Sequence, residues 1–246
     1  MQDKKQEKVY FDEFTAEKPW NAFTGKTYRS IVSLFVKLAR PEKNSKIIDM
    51  GCGTGELTEE IYRLGYRNVS GYDISGNCIA LAKSRFKGIN FEAKDIERTG
   101  LAPNSVDVLF YCGILHHFPV QKNAIREARR ILKKGGRIFI FEPNASNPVL
   151  WLFRDRKSPV KSVKLKTPNE EFLTVAQIRK SFESEGFRIE RLEAVSSVHY
   201  TTDHFRKLLP FPFYHAVHLY NVFDDILNMT PLRKKFGSFI YGFARK

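Results

Sequence analysis

Two adjacent histidines, His116 and His117, follow the apolar run Val106 to Tyr111. An imidazole near its ordinary pKa can take up a proton at neutral pH. Carboxylates stand at the ends of other short apolar runs: Asp49, Asp73, Asp95 and Glu142. A carboxylate only accepts hydrogen bonds, and it can hold two hydroxyls at once. Directly after Asp49 comes Gly51-Cys52-Gly53-Thr54-Gly55. Glycines at this spacing permit a tight turn and let a ligand approach bare backbone. Together these residues suit a ligand held on backbone and carboxylates, with a proton acceptor beside it. The histidines lack partners at metal-binding spacing, so no metal is expected. Neighbours on a strand or helix point different ways, so one ring should face the site while the other packs.

The surrounding periodicities supply the scaffold. Ile47 to Met50 is a buried strand, and Leu57, Ile61 and Leu64 after the glycines mark one face of a helix. Val69 to Ser75 reads as a second strand that ends on Asp73, about twenty residues past the turn, where such folds place an acid on ribose. Ile79 to Phe86 is a helix, Ile89 to Ile96 a third strand and Val106 to Tyr111 a fourth. Ala124, Ile125, Ala128, Ile131 and Leu132 make a helical face that Gly135-Gly136 should end. Arg137 to Asn144 is the fifth strand. Thr174 caps a helix with Ile178 and Phe182 inside, Arg188 to Val198 is the sixth strand, and Phe236 to Ala244 the seventh. Ahead of all this, Thr27 to Ala39 is a helix stopped by Pro41, and Met1 to Lys18 is polar and expected to fray.

The stretch D-M-G-C-G-T-G from Asp49 to Gly55 resembles motif I of the class I S-adenosylmethionine-dependent methyltransferases. The third glycine comes one residue earlier than in dinucleotide enzymes, and Glu56 stands where they need Gly. A Glu there would repel a pyrophosphate but not a sulfonium. The segments K-D-I at Lys94 to Ile96, L-H-H-F at Leu115 to Phe118 and G-G-R-I-F-I-F-E-P-N at Gly135 to Asn144 are similar to the same family. The resemblance implies an α/β, Rossmann-like, doubly wound sheet of seven strands, the last antiparallel. It carries an N-terminal helical cap and helical insertions late in the chain. It implies one methyltransferase domain over 1–246, with a cap at 1–44, a cofactor-binding core at 45–144 and substrate-side insertions at 145–170 and 200–232. It also implies S-adenosylmethionine as cofactor, met by Asp49, Gly51, Cys52, Gly53 and Gly55, by Asp73 and Ile74, by Asp95 and Ile96, and by Tyr111 and Cys112. Asp95 would accept from the adenine amino group. His116 is the first candidate base, His117 the second and Glu142 the third; the alternative is that both histidines only shape the pocket. Trp20, Tyr28, Asn144 and Trp151 are assigned to the substrate pocket.

Composition sets the remaining bounds. The chain of 246 residues can bury a substantial core, and its 42% hydrophobic content is that of a globular protein. Cys52, Cys78 and Cys112 form no C-x-x-C pair, so neither a disulfide framework nor a zinc site is expected, and a reducing cytoplasm is the default compartment. Net charge is +14, with Arg154, Arg156, Lys157, Lys161, Lys164 and Lys166 crowded against Asp155 alone. Such a field suits anionic lipid, phosphorylated molecules or nucleic acid. Nucleic acid is disfavoured, because Y-C-G-I follows the fourth strand instead of an amino-methylation motif, and no RNA-binding module is visible. The expected acceptor is a small molecule or a lipid-linked one, with O- or C-methylation favoured. RNA methylation and a non-catalytic cofactor-binding protein are the alternatives. The aromatic stretch Phe205 to Phe223 and the apolar Val149 to Phe153, each followed by basic residues, read either as a lid over the acceptor or as peripheral contact with an anionic membrane. Oligomeric state is not assigned.

Overall fold

The computed structural model describes residues 3–15, 22–154, 169–208 and 213–246. Trp20 and the cationic run from Arg156 to Lys166 lie outside the described residues.

Among the described residues, seven strands form one sheet: β1 (Ile47–Met50), β2 (Val69–Asp73), β3 (Asn90–Ala93), β4 (Val106–Cys112), β5 (Leu132–Pro143), β6 (Arg188–Val195) and β7 (Phe239–Arg245). Their order is β3-β2-β1-β4-β5-β7-β6. β1 to β5 pair in parallel, and β7 runs antiparallel between β5 and β6. The helices are α1 (Lys4–Phe14), α2 (Gly25–Ala39), α3 (Glu56–Arg63), α4 (Gly76–Arg85), α5 (Lys122–Ile131), α6 (Pro148–Arg154), α7 (Val175–Ser184), α8 (Thr202–Leu208), α9 (Ala216–Asn228) and the short α10 (Arg233–Phe236). This is the doubly wound, seven-stranded architecture, with an antiparallel last strand, that the family resemblance implied.

All four residues of β1 are buried, because helices cover both faces of a parallel sheet. On one face Ile48, Met50, Leu109 and Ile140 pack with Ile125 and Ala128 of α5 and with Ile178 and Phe182 of α7. On the other, Ile47, Phe110 and Phe139 pack with Ile31 and Phe35 of α2 and Val217 and Tyr220 of α9. Side chains cap α4 and, as expected at Thr174, α7. The Ser75 hydroxyl accepts from Cys78 N at 3.1 Å, and Thr174 with Gln177 forms a capping box.

Two local expectations are corrected. α5 ends at Ile131, not at Gly135-Gly136, because Leu132 already pairs with Val106. The glycines sit in an irregularity of β5, where the register shifts between Val106 and Val108 and Gly135 takes φ 78°. The N-terminus is helical from Lys4 to Phe14. Asp3 caps it by accepting from Gln6 N at 2.9 Å, and Glu7, Thr15 and the ring of Phe11 find partners in the body of the protein.

Candidate active site

In a sheet wound this way the strand order reverses between β1 and β4, and ligands sit in the crevice beyond the carboxyl ends there. A cavity opens at that point. Its floor is the turn after β1. Gly51 N and Cys52 N both donate to Tyr72 O, at 2.7 and 3.0 Å, folding the turn back on β2. Gly51, Gly53 and Gly55 have φ of 77°, 53° and 90°. Only Gly53 opens onto space: a Cβ there would meet nothing within 4 Å. At Gly55 a Cβ would come 2.9 Å from the Phe91 ring, so this glycine serves the packing of α3 against β3 and does not line the cavity.

Asp73 lies beside the turn. Its Oδ2 accepts from Gly53 N and its Oδ1 from Ser75 N, both at 2.9 Å. Burial pushes its carboxyl up in pKa, while these backbone donors pull it down. Ile74, Asp95, Ile96, Cys52 and Cys112 also line the cavity. Asp95 Oδ1 accepts from Glu97 N at 2.9 Å, and Lys4 reaches Asp95 Oδ2 from α1 at 2.5 Å. Asp49, in contrast, points beneath the turn. Thr58 Oγ1 donates to it at 2.6 Å, and burial, first among several causes, pushes its carboxyl to about 7. It braces the turn and is not among the lining residues. Tyr111 is likewise displaced: its ring is in the core beside α5, with the hydroxyl donating to Ala124 O at 3.4 Å.

At the other end of the cavity, Leu115 to His117 form a single 3-10 turn. Both imidazoles line the cavity, with ring centroids 4.1 Å apart. The expectation that one would pack away fails, because a 3-10 turn rotates successive residues less than a strand does. His116 Nδ1 is 2.8 Å from Glu142 Oε2. His117 Nδ1 is 2.7 Å from Glu7 Oε1 on α1. Burial opposes charge on His117, but the hydrogen bond and charge of Glu7 outweigh it and raise its pKa.

Glu142 is fully buried and does not line the cavity. Its Oε1 accepts from Ile114 N at 2.9 Å and Leu115 N at 2.8 Å, and Oε2 takes His116 N at 3.4 Å as well as the ring. It therefore cannot act on a ligand directly; it fixes the turn and the imidazole. Burial pushes its carboxyl up to about 7, against the pull of those backbone donors. Asn144 is also buried, and its amide donates to Lys235 O at 3.0 Å and Gly237 O at 2.7 Å, tying β5 to the start of β7. Trp151 is 37% exposed on α6 and touches no part of the cavity. Of the residues assigned to the substrate pocket, Tyr28 alone among the described ones lines it. Burial, above all, raises its hydroxyl pKa.

The resemblance implied a cap at 1–44, but the sequence reading expected its polar first stretch to fray and did not place α1 in the roof. α1 lies across the strand ends and is tied down along its length. Lys4 bridges Asp95 and Glu97, Glu7 holds His117 and Asn169, and Asp12 accepts from Ser75 Oγ at 2.6 Å and Asn77 N at 3.2 Å. Phe11, Tyr10, Tyr200, His204 and Phe239 add the aromatic wall. The aromatic residues Tyr10 and Phe11 inside a polar stretch were the signal that this segment docks.

Five carboxylates line the cavity, those of Glu7, Glu56, Asp73, Asp95 and Glu170, against the two lysines Lys4 and Lys94. Glu56 at the start of α3 is paired with Arg85. This wall suits a cationic ligand bearing hydroxyls and an amino group better than an anionic one. Among the described residues, no group of three His, Cys, Asp or Glu could hold a metal ion.

Residues 48–140 match the methyltransferase domain family. A demethylmenaquinone methyltransferase of Chlorobaculum parvum is 30% identical over 115 residues, 46% of this chain and 48% of that protein. A ubiquinone biosynthesis O-methyltransferase of Cupriavidus pinatubonensis is 33% identical over 100 residues, 39% of this chain and 40% of that protein. The matched region thus spans about half or less of these curated relatives. The crystal structure of an S-adenosylmethionine-dependent methyltransferase from Mesorhizobium loti superposes with a TM-score of 0.62 at 19% identity, covering 89% of this chain and 98% of that one. Residues 48–140 therefore belong to the methyltransferase domain family, in a chain with the class I S-adenosylmethionine-dependent methyltransferase fold.

Proposed function

We propose that the protein transfers the methyl group of S-adenosylmethionine to a small aromatic acceptor, at oxygen or at an acidic carbon. The observation that carries this reading is one cavity lined at one end by Gly53, Asp73 and Asp95 and at the other by His116. S-adenosylmethionine, when bound, supplies a methyl group on a sulfonium, open to in-line displacement. Asp73 would accept from the ribose hydroxyls while its backbone bonds hold it in place. Asp95 would accept from the adenine amino group, and the N–H of Ile96 would meet a ring nitrogen. The backbone at Gly51 to Gly53 gives close approach. Because the donor is intrinsically reactive, alignment and exclusion of water do much of the work, and α1 with its aromatic wall supplies both.

His116 is the proposed base. An ionised Glu142 accepts the Nδ1 proton, and the tautomer this sets carries its lone pair on Nε2, where the acceptor's proton can go. The acceptor side is assigned to Tyr28, Phe11, Tyr200 and Phe239. The names of the two relatives, which concern menaquinone and ubiquinone formation, support a quinone-related acceptor. In this reading 45–144 is the cofactor-binding core, 1–44 the cap, and 145–170 with 200–232 the acceptor-side insertions.

Calorimetry with S-adenosylmethionine, followed by mass spectrometry of candidate phenols for a gain of one methyl group, tests the proposal. Saturable binding with methylation of a phenol or quinol is expected. No heat with S-adenosylmethionine or its demethylated product refutes it.

A further inference from the structure

α9 is apolar on two sides. Val217, Tyr220 and Leu227 face inward and belong to the core. The outer side carries Leu219, Val222, Phe223 and Ile226, and the chain beyond adds Met229 and Leu232. Leu219 is 76% exposed, Met229 84% and the others between 43% and 57%. Spacings of three and four residues align them in one stripe along the helix. Nothing among the described residues covers it. A contiguous stripe of large apolar side chains is unusual for a surface that meets only water.

Charge identifies what covers it. Directly past the stripe, Arg233, Lys234 and Lys235 are all exposed. The acids of α9 are engaged within the protein: Asp224 is buried, accepting from Val198 N and Ser238 Oγ, each at 2.9 Å, and Asp225, at the edge of the stripe, is paired with His199 at 2.9 Å. The exposed positions between 214 and 236 therefore carry apolar, histidine or cationic side chains and no unpaired acid. Apolar side chains beside a cationic cluster match the boundary of an anionic bilayer, where rings and aliphatic chains enter the headgroup layer and ammonium groups meet phosphate. A second copy of this chain matches less well, since two molecules of net charge +14 repel.

The inner side of the same helix reaches the cavity wall. The Tyr220 and Tyr200 rings are 5.7 Å apart, Asn221 Oδ1 accepts from Tyr200 N at 3.2 Å, and Tyr200 lines the cavity.

We propose that the outer face of α9, from Leu219 to Leu232 with Arg233 to Lys235, docks the protein on anionic phospholipid bilayers, so that the cavity behind Tyr200 draws an apolar acceptor from the membrane. This rests on the methyl-transfer reading only for the identity of what the cavity takes; the docking stands on the surface itself. No helix among the described residues is long and apolar enough to cross a bilayer, so the contact is at the interface.

Co-sedimentation tests it, comparing vesicles containing phosphatidylglycerol with vesicles of phosphatidylcholine alone. Binding should favour the anionic vesicles and weaken as salt rises. Changing Arg233, Lys234 and Lys235 to Gln should cut partitioning by roughly 100-fold, at about fivefold per basic residue near the surface. Separately, Leu219→Gln with Ile226→Gln and Met229→Gln should abolish it. All these positions are exposed, and unchanged affinity for S-adenosylmethionine certifies that each variant is folded. Protein left in the supernatant with anionic vesicles at low salt overturns the proposal. So does a dimer in analytical ultracentrifugation that the apolar substitutions dissociate. Methyl-transfer failure with intact vesicle binding would overturn the proposed function and leave the docking surface standing.

Discussion

Replacing Glu142 with Gln separates burial of a charge from the hydrogen bonds that it makes. The wild-type carboxyl titrates at about 7 in the folded protein against an ordinary value of 4.5. Because the folded value is the raised one, the stability that this group contributes is fully present below about pH 4.5. It is lost as pH rises to about 7. Each pH unit in that window is worth about 1.4 kcal/mol, so ionising Glu142 lowers folding stability by about 3 kcal/mol between pH 4 and 8. A glutamine has no such loss. Its Oε1 can still accept from Ile114 N and Leu115 N, so the turn should survive. Urea denaturation of both proteins across pH 4 to 8 should show the variant gaining on wild type by about 3 kcal/mol over that range. The amide nitrogen of the glutamine must then face His116 Nδ1, now as a donor. This drives the imidazole proton to Nε2 and removes the lone pair there. Turnover should fall by about 100-fold or more while cofactor affinity holds. In the wild type, turnover should rise with pH through about 7 as Glu142 ionises. Parallel stability curves for the two proteins would refute the burial argument, and an active variant with an unchanged pH profile would refute the tautomer argument.

Other outcomes follow from the same geometry. Asp73→Ala should weaken S-adenosylmethionine binding by about 1–3 kcal/mol in calorimetry, the range for a charge-assisted hydrogen bond; unchanged affinity would remove Asp73 from the ribose role. His116→Ala should reduce turnover far more than cofactor affinity, and wild-type turnover across the pH range would leave it a shaping role only. Gly55→Ala should lower stability by at least 1–2 kcal/mol, because a Cβ meets the Phe91 ring and the residue holds φ 90°. A melting temperature equal to wild type would contradict that packing. Asp12→Ala removes the acceptor for Ser75 Oγ and Asn77 N, so α1 should become cleavable by protease well before the core, while the thermal transition of the core hardly moves.

The local part of the site was legible from the chain alone. Motif spacing placed Gly51 to Gly55, Asp73, Ile74, Asp95 and Ile96 at strand ends, since strand, turn and helix follow one another within thirty or so residues and each carries its own period. The succession of strands was legible for the same reason, while the antiparallel last strand came from the family resemblance alone. Side-chain direction at a strand end was not. Asp49, Tyr111, Glu142 and Asn144 all sit where residue type and position suggest a ligand, yet each turns inward to a partner supplied by a distant segment: Thr58, Ala124, Ile114 to His116, and Lys235 with Gly237. Sequence determined which residues reach the crevice end of the sheet. Tertiary structure decided which of them face the crevice, because a buried polar group must find its hydrogen bonds and those partners can lie anywhere in the chain. It also decided that, within the cap implied at 1–44, the charged first stretch forms the roof and does not fray. Lys4, Glu7 and Asp12 look like a solvated tail until the folded strand ends present Asp95, His117 and Ser75 to receive them.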